Sequence, residues 1–157
     1  MALGLSGSGL ITGFDSASDG FGRVLQVVRA TDTTNRTTTS TSYVDANISV
    51  TIMPTKNTSA ILLVWTAQSW PFGAQAIQDM QITDSSNIAI SGAEAFRMGI
   101  NSTIDSYLSF TAIAYATPAT TSSVTYKGRF KLNSASSTAR LQNLTTTGQM
   151  YAIEVAA

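Results

Sequence analysis

The chain has 157 residues, of which nine are basic and nine acidic, so its formal net charge is zero. A chain of this length forms one domain that can bury roughly 68–70% of its unfolded surface. Scattered Arg and Lys residues without a net positive charge exclude the electrostatic footprint of a nucleic-acid binder. With only 11% charged residues, a free monomer has weak colloidal protection, which favours a role inside an assembly.

The first 22 residues differ from the rest because Gly and Ser alternate there with isolated large apolar residues. We expect an extended N-terminal arm over residues 1–22, which could reach roughly 70 Å at ~3.3 Å per residue. A flexible terminus without a binding role is the alternative. The arm residues expected to bury apolar surface on a partner are Leu3, Leu5, Leu10, Ile11 and Phe14.

Residues 23–157 are predicted to form one β-sandwich domain. Tyr43–Ile52 alternates apolar and polar residues, which indicates a strand with one buried face. Ala60–Trp70 begins as a continuous apolar run, which predicts burial on both faces, and Asp84–Asn87 has the composition of a hairpin turn. The predicted strands are Val24–Ala30, Tyr43–Ile52, Ala60–Trp70, Ile77–Thr83, Ile88–Ser91, Ile104–Ala116, Val124–Leu132, Ala139–Leu144 and Met150–Val155.

No segment has a helical period over three turns, and Gly92–Ile100 is expected to be a loop or one short helical turn. Eight or nine short strands separated by turn residues predict an all-β antiparallel sandwich or jelly roll.

The chain contains no cysteine and no histidine. Disulfides, thiolate chemistry and the usual general base near neutral pH are therefore absent. No pair of carboxylates has the spacing of a glycosidase site, and Glu154 is expected on the solvent-facing side of the last strand. We predict a protein that is not an enzyme and has no cofactor or metal; calcium held by Asp15 and Asp19 is a weaker alternative to turn capping.

The longest apolar run, Ala60–Trp65, is far shorter than the ~20 residues of a membrane-spanning helix. The sequence MALGLSGSGLITGF has no basic region and is interrupted by GSG, so it does not resemble a signal peptide. We expect synthesis in the host cytoplasm and no membrane partner.

Four aromatic residues stand out, two of them in the predicted strand Ala60–Trp70 and two after it. Large rings in a sandwich usually belong to the core or to an interface, and a carbohydrate-stacking platform is the alternative interpretation. Trp70 and Phe72, expected at an exposed loop tip, are the first candidates for a receptor or interface site. The group consists of Trp65, Trp70, Phe72 and Phe96.

Three segments carry a resemblance to a known class of protein: GRVLQVVRATDTTNRTTTSTSYVDANISVTIMPTKNTSAILLVW, TPATTSSVTYKGRF and MYAIEVAA. Together they span about residues 22–157 and resemble virion proteins of tailed phages, particularly marine and cyanobacterial ones. The resemblance implies a non-enzymatic β-sandwich, commonly trimeric, that decorates or cements a capsid or forms the distal part of a fibre.

Because the chain is one sandwich with an arm, we expect a capsid decoration (cement) protein on the capsid surface of the virion. It would form a homotrimer whose arms lie across the major capsid protein. The alternative is a tail- or head-fibre module that recognises host surface glycans, and a small carbohydrate-active enzyme is a third, minor possibility.

Overall fold

The computed structural model describes residues 22–71, 76–99, 106–133 and 137–156, and the backbone of two short pairs near the N-terminus. These residues form twelve strands and no helix. The strands are β1 (Gly4–Leu5), β2 (Ile11–Thr12), β3 (Val24–Asp32), β4 (Arg36–Thr38), β5 (Val44–Ile52), β6 (Ala60–Ser69), β7 (Ile77–Asp84), β8 (Phe96–Gly99), β9 (Leu108–Ala116), β10 (Val124–Leu132), β11 (Ala139–Leu141) and β12 (Gly148–Val155).

Eight of these strands form two four-stranded antiparallel sheets that pack face to face. The large sheet has the order β3-β12-β6-β9, and β4 and β11 extend it at one end. The small sheet has the order β5-β10-β7-β8. This arrangement is that of a jelly roll, so the predicted all-β sandwich is confirmed.

The core lies between the two sheets and follows from the alternation along the strands. Ile48, Val50 and Ile52 of β5 point inward and are at most 4% exposed. Trp65 of β6 meets the ring of Phe110 edge to face, with ring centroids 5.0 Å apart and an interplanar angle of 88°. Fully burying an apolar side chain of this kind contributes about 1.5–3 kcal/mol.

A close approach between the sheets depends on Gly128 in β10. A Cβ atom at this position would lie 2.9 Å from Cγ2 of Ile48 and 3.0 Å from two ring atoms of Trp65. Gly128 alone faces residues 46–48 of β5, where the register shifts, and Asn47 has a φ of 54° there. The absence of a Cβ atom at Gly128 therefore lets the indole pack directly on the β10 backbone.

The region after β7 differs from its prediction. The turn at residues 84–87 is confirmed, since the Asp84 carboxylate accepts hydrogen bonds from the N–H groups of Ser86 (2.8 Å) and Ile88 (2.9 Å). The predicted strand Ile88–Ser91, however, is reduced to one bridge between Thr83 and Ala89. The strand that pairs with β7 at this edge is instead β8, which pairs with residues 77–80. It lies in the segment that was expected to be a loop or one helical turn.

None of the described residues lies in a helix long and apolar enough to cross a membrane.

Candidate interaction surface

The outer side of the large sheet carries a wide apolar surface, which we call the outer apolar face. Strand pairing aligns its side chains in rows across β3, β12, β6 and β9, because directly paired residues point to the same side of a sheet. The first row is Val27, Ile153, Leu62 and Tyr115, and the second is Arg29, Tyr151, Val64 and Ile113. The third row is polar but uncharged and contains Thr31, Gln149, Thr66 and Thr111.

Much of this face is open to solvent. Val27 and Tyr115 are each 56% exposed and Ile113 is 53% exposed, whereas Leu62 and Val64 in the middle of the sheet are half-buried. Seven of the eight positions in the first two rows are apolar, and the eighth is Arg29, whose guanidinium lies 5.9 Å from the ring of Tyr151. Contiguous apolar surface of this kind marks a binding site more often than isolated exposed side chains do.

The apolar run at Ala60–Trp65 predicts burial on both faces of β6, and the described residues do not provide it. Ile61, Leu63 and Trp65 point into the core, but Leu62 and Val64 point outward and no described element covers them. Among the described residues the prediction is therefore wrong for Leu62 and Val64. The run is the sequence signal of the outer apolar face.

The outer side of the small sheet has the opposite character. Arg129 and Lys127 of β10 lie 3.2 and 3.8 Å from the carboxylate of Asp45. On the neighbouring strands, Asp79 is paired with Arg97 at 2.8 Å and lies 3.8 Å from Lys131. One outer side of the sandwich is therefore charged and suited to water, and the other is almost uncharged.

The edge strands of the two sheets also differ, in how well they are protected from pairing with another chain. Edge strands usually carry charges, bulges or prolines, or are short, because their unpaired backbone groups can otherwise pair with another chain. The β3 edge carries Arg29 and Asp32, β5 carries Asp45 and an irregular register, and β8 has only four residues. In contrast, β9 is nine residues long, has no charge or proline, and pairs regularly with β6 on one side. On its other side no described strand pairs with it.

A pocket of about 540 Å³ opens at one end of the sandwich, between the end of β7, the end of β9 and the start of β10. Its polar lining includes Asp84, Ser91, Ser123 and Tyr126, and Tyr115 at the end of β9 lines it as well. Burial raises the pKa of the Tyr126 hydroxyl, and the nearby Asp84 carboxylate raises it further. The volume and the hydroxyl-rich lining suit a small neutral polar ligand.

The predicted arm residues are only partly within the described structure. Leu5 and Ile11 are backbone partners in the antiparallel pair β1–β2. Leu3, Leu10 and Phe14 lie outside the described residues, as do Asp15, Asp19 and Phe72.

The aromatic residues predicted as a group separate into different environments. Trp65 is in the core, while Phe96 of β8 is half-buried against it. Trp70 is half-buried after β6 rather than exposed at a loop tip, and its ring lies 4.2 Å from the Arg140 guanidinium and 4.9 Å from the Tyr107 ring. The three described members therefore do not form one sugar-stacking platform.

Glu154 corrects a second prediction, since it is fully buried rather than solvent-facing. Its carboxylate accepts hydrogen bonds from the Gln26 side chain (2.6 Å) and from the N–H and hydroxyl of Thr55 (2.8 Å each). Burial alone would raise the pKa of Glu154. These hydrogen bonds and the adjacent Ser59 hydroxyl lower the pKa to about 2. The Ser59 hydroxyl itself lies outside hydrogen-bond geometry. Its donors come from β3 and from the turn after β5, so the role it supports is structural.

No group of three or more acidic side chains that could hold a metal ion occurs in the described ranges. Carboxylates there are paired with cations or cap backbone N–H groups, as at Asp79 and Asp84.

Comparisons with known proteins give similarities of fold. The chain matches no protein-family model and no curated protein. Among solved structures, a mutant VP2 protein of infectious bursal disease virus in T=1 particles is 12% identical with a TM-score of 0.45, and the alignment covers all of this chain and 41% of that one. The VP2 subviral particle of the same virus is 15% identical with a TM-score of 0.42, and the alignment covers all of this chain and 42% of that chain.

The enzymatically active domain of tailspike protein 4 of bacteriophage CBA120 is also similar. It is 9% identical with a TM-score of 0.31, and the alignment covers 82% of this chain and 19% of that one. The present chain thus spans about two fifths of the VP2 chains and a fifth of the tailspike chain.

Proposed function

We propose that this chain is a structural protein of a tailed-phage virion, and that it decorates and stabilises the capsid. The observation that carries the proposal is the outer apolar face, opposite a small sheet whose outer side is charged. A subunit with one apolar side and one charged side suits a layer in which other protein covers the apolar side and the charged side faces solvent.

In this role the protein acts by binding rather than by catalysis. Apolar residues of the arm, among them Leu3, Leu5 and Leu10, would lie across the major capsid protein and bury surface at ~25 cal/mol per Å². Many copies on one shell would add avidity. Because few exposed ion pairs would take part, attachment would depend only weakly on salt.

Deletion of the arm tests the proposal. A variant lacking residues 1–20 should keep the far-UV circular dichroism and melting temperature of the sandwich but lose binding to shells assembled from the virus's own major capsid protein. Full-length protein carrying Ser49→Lys on the charged side is the control and should bind normally, since Ser49 is exposed on β5. Shells that still carry the truncated protein at full occupancy would contradict attachment through the arm.

The pocket beside Tyr126 favours a second candidate function, a fibre module that recognises host surface glycans. In that case antibodies against the protein would label the tail or a fibre and not the head. Binding to a panel of host saccharides should then disappear in Ser123→Trp, which would fill the pocket from an exposed position. Labelling over the whole capsid surface, with no saccharide bound, would reject this candidate.

A further inference from the structure

We propose that the edge of β9 in one copy of this chain packs against the β3–β12 half of the outer apolar face of the next copy, and that repetition of this contact closes a ring. The inference concerns contact between copies and does not depend on where the protein sits on a particle.

The first argument is the state of β9. Its nine residues form an edge that no described strand pairs, and no charge, proline or irregular register protects that edge from another chain. The same strand contributes Ile113 and Tyr115 to the apolar rows, both more than half exposed. A partner seated on β9 would therefore bury these two side chains.

The second argument is that the opposite side of the face offers a matching surface. Val27 is 56% exposed, and Ile153 lies beside it in the first row, with Tyr151 in the second. A symmetric contact of two faces would bury this half but leave both β9 edges open. A head-to-tail contact covers both features, and when its rotation closes it produces a ring of the kind expected for a homotrimer.

The third argument is charge, which makes a second copy a suitable occupant. In its three rows the outer apolar face has no acidic residue and one basic residue, Arg29, which is placed over its own Tyr151. Copies can thus approach without like-charge repulsion between several groups. The ion pairs of Asp45 and Asp79 lie on the small sheet, on the opposite side of the sandwich, so this arrangement leaves them unchanged.

Engineered cysteines test the geometry, because the chain has none of its own. The full-length variants are Val27→Cys, Tyr115→Cys and the two together, with Ser49→Cys on the charged side as the control. After mild oxidation the double variant should form covalent closed oligomers, and a mixture of the two single variants should form dimers. Each single variant alone and the Ser49→Cys control should stay uncrosslinked.

Sedimentation of the full-length protein gives a second measurement. Wild type should sediment as a discrete oligomer, and Ile113→Lys, which places a charge on the β9 edge, should sediment as a single 16.5 kDa chain with an unchanged circular dichroism spectrum. Ser49→Lys should keep the oligomer. Wild-type protein that is monomeric at about 100 µM, or dimers formed by either single cysteine variant alone, would overturn the proposal. Since only purified protein is used, that result is separate from a failure to bind capsid shells.

Discussion

The Glu154 carboxylate accepts a hydrogen bond of 2.8 Å from the backbone N–H of Thr55, which ties the last strand of the large sheet to the turn between the two sheets. Gln26 extends the network, because its side-chain amide donates to Glu154 and to the carbonyl of Met53, at 2.6 Å each. A single buried acid thus joins β3, β12 and the β5–β6 turn.

This network predicts a dependence of stability on pH. The pKa of Glu154 in the folded protein is about 2, below its ordinary value of 4.5, so its contribution is complete above about pH 5 and is lost as the pH falls toward 2. Each tenfold change in proton affinity corresponds to about 1.4 kcal/mol, so the loss is on the order of 3 kcal/mol. Urea unfolding at pH 6, 4 and 2.5 measures it.

Glu154→Gln should remove most of that pH dependence and lower the free energy of unfolding at pH 7 by about 2 kcal/mol, since the amide NH₂ group would replace one of the two oxygens and meet either the Gln26 donor or the Thr55 donors. Glu94→Gln is the matched control, because Glu94 is exposed and its carboxylate accepts one hydrogen bond from Gly92. Equal pH profiles for wild type and Glu154→Gln would refute this role of Glu154.

Gly128→Ala should destabilise the protein because its Cβ would enter the space of Ile48 and the Trp65 ring. Overpacking of this kind costs about 1–3 kcal/mol. Gly99→Ala is the control, since there the nearest atom, Cγ1 of Ile77, lies at an ordinary 3.4 Å. Thermal unfolding compares the two, and a smaller loss for Gly128→Ala than for Gly99→Ala would contradict the packing described for Trp65.

The contact between Asp79 and Arg97 predicts that the effect of Asp79→Asn on the melting temperature changes sign when Arg97 is also replaced. Asp79 is 1% exposed and is held by both nitrogens of the Arg97 fork, at 2.8 and 3.1 Å, while Arg97 itself is 60% exposed. Asp79→Asn should lower the melting temperature of the wild-type protein by a few degrees. In an Arg97→Met background the same substitution should raise the melting temperature, because there the buried carboxylate would have only the more distant Lys131 as a partner. Additive effects of the two substitutions would contradict this prediction.

The close approach of Gly148 and Asn143 predicts that substitutions at these two positions have non-additive effects on stability. A Cβ at position 148 would lie 2.8 Å from Oδ1 of Asn143, whose amide donates to Asp32 at 2.9 Å. Gly148→Ala should cost about 1–3 kcal/mol in wild type but less in Asn143→Ala, which removes the clashing amide. Equal costs in both backgrounds, measured by chemical denaturation, would show that the amide is not the obstacle.

Much of the fold follows from local patterns. Val124–Leu132 was predicted with the bounds that β10 has in the structure, because alternation reports directly that one face of a strand is buried. Strand β8 was missed because its alternation extends over only four residues, and its position is set by pairing with β7 and by the ion pair from Arg97 to Asp79. Glu154 was misplaced for a similar reason, because its partners lie 99 and 128 residues away in the chain.

The outer apolar face was only partly accessible from the sequence. The run at Ala60–Trp65 indicated that β6 needs cover on both sides, but which residues share the outer rows depends on the register of four strands that are distant in sequence. The unprotected edge could not be assigned to β9 without the order of strands in the sheet.

The backbone groups at the two ends of the sandwich domain are hydrogen-bonded to each other, with Gly22 N–H donating to the Ala156 carbonyl at 3.0 Å and Ala156 N–H donating to the Arg23 carbonyl at 2.8 Å. A short linker could therefore join these ends in a circular permutant, with new termini opened in the exposed turn at residues 85–87. A peptide displayed from that turn would sit where β7 ends on the small sheet, at the mouth of the pocket that Ser85 and Tyr115 both line. The sandwich is thus a scaffold in which cargo can be attached at one end without interrupting a strand of either sheet.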